Sequence, residues 1–368
     1  MNEMHGIIFS YEKDNELREL TTQRIHGSLP FGGNYRVVDF MLSNMVNAGI
    51  QDVGVIMHGK CQSMLDHLGT GKTWDLSRNR GGLRLLPAFA YTESRGGDGR
   101  FRGKVEALGC VMDYLKEIRQ DYVVLSDSDL IINLPLEDVL HEHLRSGADL
   151  TAVCTSRPGR TDEIYFRTDA DGRIVDTAYR VEKPEGLRGL NLYILRTDLL
   201  IRLVSECVAH NRYSFRHHIL QDGGLHLHAY VWEGYAQRID SVRSYYEHSM
   251  DLLQPEVRRQ LFDAARPILG RDRGGPSSYV DPSGECVNSL VADSCSIQGS
   301  VRNSIIFGRV SVEPGAVVEN CVLFDGTVIR SGASVRHVIC DKNAVINGDQ
   351  TLMGSPVYPM VIAKNSVV

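Results

Sequence analysis

Residues 300–349 carry three copies of one pattern. Placed one beneath another, SVRNSIIFGRVSVEPGA, VVENCVLFDGTVIRSGA and SVRHVICDKNAVINGD align Val301 with Val318 and Val335, Ile305 with Val322 and Ile339, and Val312 with Ile329 and Ile346. Gly315 and Gly332 share the turn position. A period of 17 residues, built from short apolar runs and turn residues, describes one coil of a triangular β-helix per repeat. Each coil buries its inward side chains only by stacking on the next. An antiparallel sandwich also spaces its strands evenly, but gives equivalent residues no reason to recur at one interval. Coil edges and flat sides offer docking surfaces, so the reading includes an oligomer.

Upstream, from residue 5 to about 250, short apolar runs alternate with amphipathic helical patterns, the signature of an α/β domain with a mostly parallel sheet. The strands are GIIFS, DVGVIMH, YVVLS, DLTAVCT, LNLYILR and LHAYVW. Between the first two, YRVVDFMLSNMVNAG groups Val37, Phe40, Met41, Asn44 and Met45 near one helical face and stops at Gly49, as a crossover helix should. Residues 251–284 run from the helical PEVRRQLFDAARPIL into the Gly/Pro/Ser-rich GRDRGGPSSYVDPSG. The division is therefore an α/β domain over 1–250, a linker over 251–284 and a β-helix over 285–368.

A net charge of −6 supplies no global basic field, which argues against nucleic acid and anionic membrane as partners. The eight cysteines are scattered without a C-x-x-C pair, so neither a zinc cluster nor a disulfide framework is indicated. No run reaches the roughly 18 apolar residues of a membrane span, and MNEMHGIIFS lacks a basic leader. The expectation is a cytoplasmic protein.

Several stretches carry a resemblance. LRELTTQRIHGSLPFGGNYRVVDFMLSNMVNAGIQDVGVIM, HLGTGKTWDLSRNRGGLRLLP, SYYEHSMDLL and NSLVADSCSIQGSVRNSIIF are similar to bacterial glucose-1-phosphate adenylyltransferase, or ADP-glucose pyrophosphorylase. The resemblance implies a nucleotidyltransferase-type, Rossmann-like α/β domain followed by a left-handed parallel β-helix. It also implies the family reaction, in which ATP and glucose 1-phosphate give ADP-glucose and pyrophosphate, in a tetramer under allosteric control.

Adenylyl transfer needs close backbone donors, positive charge and a metal. Active members open with an L-x-G-G-x-G-x-R-L loop, whereas IIFSYEKDNELREL contains no glycine and places Glu16 at the family's phosphate-facing arginine. A carboxylate there repels ATP; Arg18 is near, but two positions on. The family's K-P-A-V becomes His26, Gly27, Ser28 and Leu29, replacing a lysine charge by a mostly neutral imidazole. Of the two family aspartates that hold the metal, the second falls at Arg238, which cannot ligate a cation. Asp240, two residues along, is a weak substitute. For the first, LSDSDLIINLPLEDVL is one residue longer than the family pattern, so either Ser128 or Asp129 takes the place. Asp127 and Asp129 read either as a metal site or as a strand-to-loop turn held by side-chain-to-backbone bonds, and the missing second ligand favours the turn.

Other positions carry two readings each. Lys183 in VEKPEG matches a family lysine that contacts the sugar phosphate, or is a solvated turn lysine. Gly103 in FRGKVEAL matches a glycine of the sugar-nucleotide pocket, with Lys104 and Val105 where the family has Thr and Ala. Arg24 and Arg36 match arginines that contact anionic effectors, although Arg36 could instead pair with Asp39. His217 and His218 read as surface or boundary residues. No catalytic set is intact, and the match is closest to the GlgD-type regulatory subunit. That resemblance implies a heterotetramer with a catalytic GlgC-type chain in glycogen biosynthesis, no cofactor on this chain, and Mg in the partner. The alternatives are a weakly active nucleotidyltransferase with a rearranged site on Asp129 and Asp240, and a stand-alone sensor of a sugar phosphate or effector. An acyltransferase is disfavoured, since His337 is the only histidine in the repeats.

Overall fold

A computed structural model describes residues 3–11, 16–78, 81–87, 101–160, 162–180, 182, 185–221, 224–271 and 274–368. The chain forms two compact units. The first comprises Met1–Lys13, Phe40–Ala236 and Ala264–Pro267; the second comprises Asp14–Asp39, Gln237–Asp263 and Ile268–Val368. The sequence boundaries cut the chain in linear order, whereas the units interleave.

The first unit is built on a sheet with nine strands among the described residues. Its path runs Ile174–Tyr179, Ile164–Thr168, Leu187–Arg196, Tyr122–Asp127, Met4–Tyr11, Asp52–His58 and Gly82–Pro87, with Leu150–Thr155 and Leu227–Val231 continuing from Leu187–Arg196. All six expected strands are present. From Tyr122–Asp127 to Gly82–Pro87 neighbours are parallel, while Leu187–Arg196 runs antiparallel to its partners. Central strands buried on both faces read as near-continuous apolar runs, which is why Met4–Tyr11 is buried throughout. The strands not anticipated, Gly82–Pro87, Ile164–Thr168 and Ile174–Tyr179, lie toward the sheet margins, where polar residues break the apolar run.

The crossover helix Val37–Asn47 ends as its sequence indicates, with Gly49 at φ +71°. Its buried Asn44 donates to the Ile132 carbonyl at 2.9 Å and accepts from the Leu134 amide at 2.8 Å, fixing the chain beyond the strand end at Asp127. At the opposite end of the central strand, His5 Nε2 lies 2.7 Å from the Tyr114 hydroxyl. Burial pushes this imidazole down from 6.5 to about 4, against the pull of the Asp52 carboxylate.

In the second unit, three five-stranded parallel sheets wind around one interior. The columns read from the repeat are the observed ladders: Val301 pairs with Val318 and Val318 with Val335, Ile305 with Val322 and Val322 with Ile339, Val312 with Ile329 and Ile329 with Ile346. These side chains are fully buried. Coiling begins at Tyr279–Val280, inside the stretch read as linker: this strand faces Ser296–Ile297 at an interval of 17 residues, but the strands that follow shorten it to 15, as where Cys286 faces Val301. Turns after one face are left-handed at Asn288, Asn303, Asn320 and His337, a conformation asparagine tolerates well. The Gly315 and Gly332 turn continues at Asp349, also at positive φ.

The outlying segments of this unit are tied to the coils by side chains. Helix Val242–Asp251 starts at a capping box on Ser241. Tyr246 then donates to the Asn320 carbonyl at 2.7 Å and lies 2.8 Å from His337 Nδ1, and Tyr245 donates to the Pro30 carbonyl at 2.8 Å. All eight cysteines are free thiols, and no helix among the described residues is long and apolar enough to cross a membrane.

Two measurements check this account. Ile329→Ala is expected to cost about 2–5 kcal/mol in thermal unfolding, whereas Ser311→Ala, on the outward side of the same sheet, should stay within about 0.5 kcal/mol. The unfolded chain protonates His5 near its ordinary pKa and the folded chain only near 4, so its contribution is complete above pH 6.5 and falls as the pH drops. About 2 kcal/mol should be lost by pH 5 in urea titrations, and His5→Gln should remove that slope.

Candidate functional site

The strand order reverses beside Met4–Tyr11: the chain moves to one side through Asp52–His58 and later returns on the other as Tyr122–Asp127. Ligands of open parallel sheets gather beyond the carboxyl ends of strands at such a switch point. Phe9 and Asp127 face each other there.

Asp127 is 1% exposed, and its Oδ1 lies 2.9 Å from the Lys104 ammonium, itself 12% exposed. Oδ2 accepts from Asn191 Nδ2 at 3.2 Å, and Tyr193 donates to Asn191 Oδ1 at 3.0 Å. Asn191 holds φ +56° at an irregularity in the Leu187–Arg196 strand, and the bulge turns its amide toward the carboxylate. The ammonium also sits 5.2 Å from the Phe9 ring centre and 5.5 Å from that of Tyr193, a cation–π cage. Buried Tyr11 has its phenol pushed well above the usual range by burial, reinforced by Asp127, Asp129 and Glu106.

Gly103 places Lys104. A Cβ on Gly103 would stand 2.4 Å from the Tyr213 carbonyl oxygen, which accepts from the Val105 amide at 3.2 Å. Glycine lets the two backbones meet, and Lys104 then opens the helix Lys104–Gly109.

Ser128 and Asp129 occupy the turn between Tyr122–Asp127 and Leu130–Ile132. The Ser128 amide donates to the Phe9 carbonyl and its hydroxyl to Ser10 Oγ, both at 2.9 Å. These are the bonds of a turn. Among the described residues no three His, Cys, Asp or Glu side chains are grouped to hold a metal ion. The magnesium implied by the resemblance does not fit here: the Asp127 carboxylate already faces an ammonium and an amide, and the Ser128 hydroxyl is committed to Ser10.

In the second unit, Asp240 serves helix Val242–Asp251, with Oδ1 accepting from Ser244 Oγ at 3.0 Å. Arg238 is half-buried in Ala236–Arg238, and His26 is half-buried in the 3₁₀ turn His26–Ser28. Glu16 is exposed; its carbonyl accepts from the Val242 amide at 3.3 Å, and it lines an open groove of about 890 Å³ with Arg18, Arg243 and Tyr358. Arg24, matched to an effector-contacting arginine, lies buried against an internal carboxylate. It is 4% exposed, and its Nη2 reaches both Asp341 oxygens, at 2.8 and 3.0 Å. Arg36 is likewise buried, with its amide donating to Asp39 Oδ2 at 2.9 Å. His217 and His218 bond locally, to Gln221 and Ser214, and His337 is a corner residue rather than a catalytic one. Lys183 lies outside the described residues.

Sequence reasoning noticed Lys104 only as a replaced threonine and missed its role. A signal was available: with the extra residue placed late, Asp127 stands at the glycine of the family's L-S-G-D, so two departures of opposite charge were in view.

Comparison with known proteins agrees with this geometry. A nucleotidyl transferase family model matches residues 6–257, and a GlmU-like C-terminal hexapeptide model matches residues 277–355. The chain belongs to the nucleotidyl transferase family. Its α/β domain with a mostly parallel sheet is followed by the left-handed parallel β-helix of hexapeptide-repeat chains. The glycogen biosynthesis protein GlgD of Bacillus subtilis is 32% identical over 367 residues, covering 100% of this chain and 97% of that protein. Glucose-1-phosphate adenylyltransferase of Pseudothermotoga lettingae is 30% identical over 329 residues, covering 86% and 77%, and that of Geobacillus stearothermophilus is 30% identical over 313, covering 83% and 80%. Within the nucleotidyl transferase family this chain is thus a GlgD-type relative of the adenylyltransferases.

The ion pair gives a direct test. Lys104→Met leaves the Asp127 carboxylate buried without its counter-charge and should cost about 3–5 kcal/mol in urea unfolding, and adding Asp127→Asn should recover most of it.

Proposed function

We propose that this chain is the regulatory subunit of glucose-1-phosphate adenylyltransferase in glycogen biosynthesis, with little or no activity of its own. It assembles with a catalytic GlgC-type chain as a heterotetramer, and the magnesium and the chemistry reside in that partner. The observation that carries the reading is the Lys104 ammonium on Asp127, at the switch point where the family's metal chemistry is expected. A carboxylate whose two oxygens face an ammonium and an amide competes poorly for magnesium, and an ammonium cannot supply the open coordination positions that align an α-phosphate. The full-length match to GlgD points the same way.

A subunit of this kind acts by differential binding: contacts that favour one state of the catalytic chain over another change its rate or effector response without entering its chemistry. No observation favours the rearranged site on Asp129 and Asp240, since the Asp240 carboxylate accepts from Ser244 at the start of the helix that Ser241 caps.

The test is co-purification with a catalytic GlgC-type subunit followed by assay of ADP-glucose synthesis with Mg²⁺. The chain alone should give little product, and the mixture should co-elute and differ from the catalytic subunit in rate or effector response. Robust synthesis by the chain alone, or neither co-elution nor kinetic change, would overturn the reading.

A further inference from the structure

His217 and His218, surface residues by their sequence, join two arginine–tyrosine stacks on the first unit. The π turn Arg216–Leu220 sets Arg216 over the Tyr179 ring at stacking distance, its guanidinium carbon 3.4 Å from the ring centre. Arg180 holds φ +56°, an uncommon conformation for a long side chain, and its guanidinium carbon stands 5.2 Å from the same centre. The His217 ring meets Tyr179 edge-on at 6.4 Å. Its Nδ1 lies 2.7 Å from Gln221 Oε1, and Gln221 Nε2 donates to the Thr177 carbonyl at 3.1 Å. One residue on, His218 meets the Tyr213 ring edge-on at 5.8 Å, and the Arg102 guanidinium carbon lies 4.8 Å from the Tyr213 centre. Arg102, Arg180, Tyr213 and His217 are exposed, and Tyr179, Arg216 and His218 are half-buried.

Significant cation–π pairs occur about once per 70–80 residues, so three that share one patch need a reason beyond chance. Stability supplies little of it, because such pairs are weak in contact with water, and a π turn often marks a functional position. Arg102 is matched by Glu106 at 2.8 Å, whereas among the described residues Arg180 and Arg216 meet no carboxylate. A guanidinium stacked on a ring keeps its in-plane N–H groups for bidentate pairing with a carboxylate. Tyrosine and arginine are also the side chains on which protein interfaces concentrate their binding energy, and a ring already held by its neighbours loses little freedom on binding. The chain carries a net charge of −6. An extended polyanion such as nucleic acid is repelled by that charge, whereas a short acidic segment meets only the local positive field. We propose that this band is a docking surface for an acidic segment of another protein, whose carboxylates pair with Arg180 and Arg216 and whose apolar groups lie on Tyr179 and Tyr213. The inference does not rest on the subunit reading, and its test contains no catalytic chain, so either can fail alone.

The test uses the full chain and a fluorescein-labelled peptide of alternating Glu and Tyr, read by fluorescence anisotropy at low salt. Its Gln/Tyr counterpart and a single-stranded oligothymidylate of the same length are the controls. The Glu/Tyr peptide should bind saturably, and the Gln/Tyr peptide about tenfold more weakly or not at all. Arg180→Gln combined with Arg216→Gln should weaken the Glu/Tyr peptide by about tenfold. Arg145→Gln combined with Arg259→Gln, at exposed arginines outside the band, should leave it unchanged. Arg180→Lys combined with Arg216→Lys keeps the charge but loses the planar fork and should weaken the peptide by about fivefold; it carries the comparison if the Gln pair does not fold. No saturable binding by the wild type, undiminished binding by the Gln pair, or tighter binding of the oligothymidylate overturns the proposal. Full retention by the Lys pair overturns it too, because the band would then be only a diffuse positive patch.

Discussion

A carboxylate sealed at the end of a central strand has to be neutralised, since an isolated charge in a low-dielectric interior is not tolerated. Asp127 meets that requirement with Lys104 rather than with a bound cation, and the surroundings follow from the choice. Gly103 draws the backbone against Tyr213 so that the lysine starts its helix within reach. The bulge at Asn191 supplies the second donor, and the rings of Phe9 and Tyr193 form the walls around the ammonium. What a metalloenzyme leaves open for substrate is here a completed internal contact.

A second buried basic group, Arg24, is also paired within the chain. Both basic groups are matched within the chain, Lys104 by Asp127 and Arg24 by Asp341. A scaffold whose polar sites are satisfied from inside retains its shape and surfaces while losing the reasons to bind small ions.

The solenoid was legible because its information is periodic: the columns through Val301, Ile305 and Val312 became ladders residue for residue. The six principal strands were legible because burial on both faces leaves continuous apolar runs. The marginal strands were not, since polar residues break their apolar runs, and the start of coiling at Tyr279 was hidden because the interval drops from 17 to 15 residues in the strands that follow it. At the candidate site, the loss of the glycine loop and the turn at Ser128 and Asp129 could be read locally. The pairing of Lys104 with Asp127 left an indirect signal, two departures of opposite charge, whereas that of Arg24 with Asp341 left none, because the fold alone brings together residues 317 apart in sequence.

The interleaving of the two units has a consequence for how the protein is made. Residues 14–39 leave the ribosome early, yet the coils they belong with are the last to be synthesised. Leu17, Leu20, Ile25, Leu29 and Phe31, all fully buried in the finished unit, stay uncovered for most of translation. Contacts of such long sequence separation form slowly, and apolar segments exposed in the meantime are prone to aggregate. The nascent chain therefore carries an uncovered apolar segment in its first forty or so residues until the solenoid has been made.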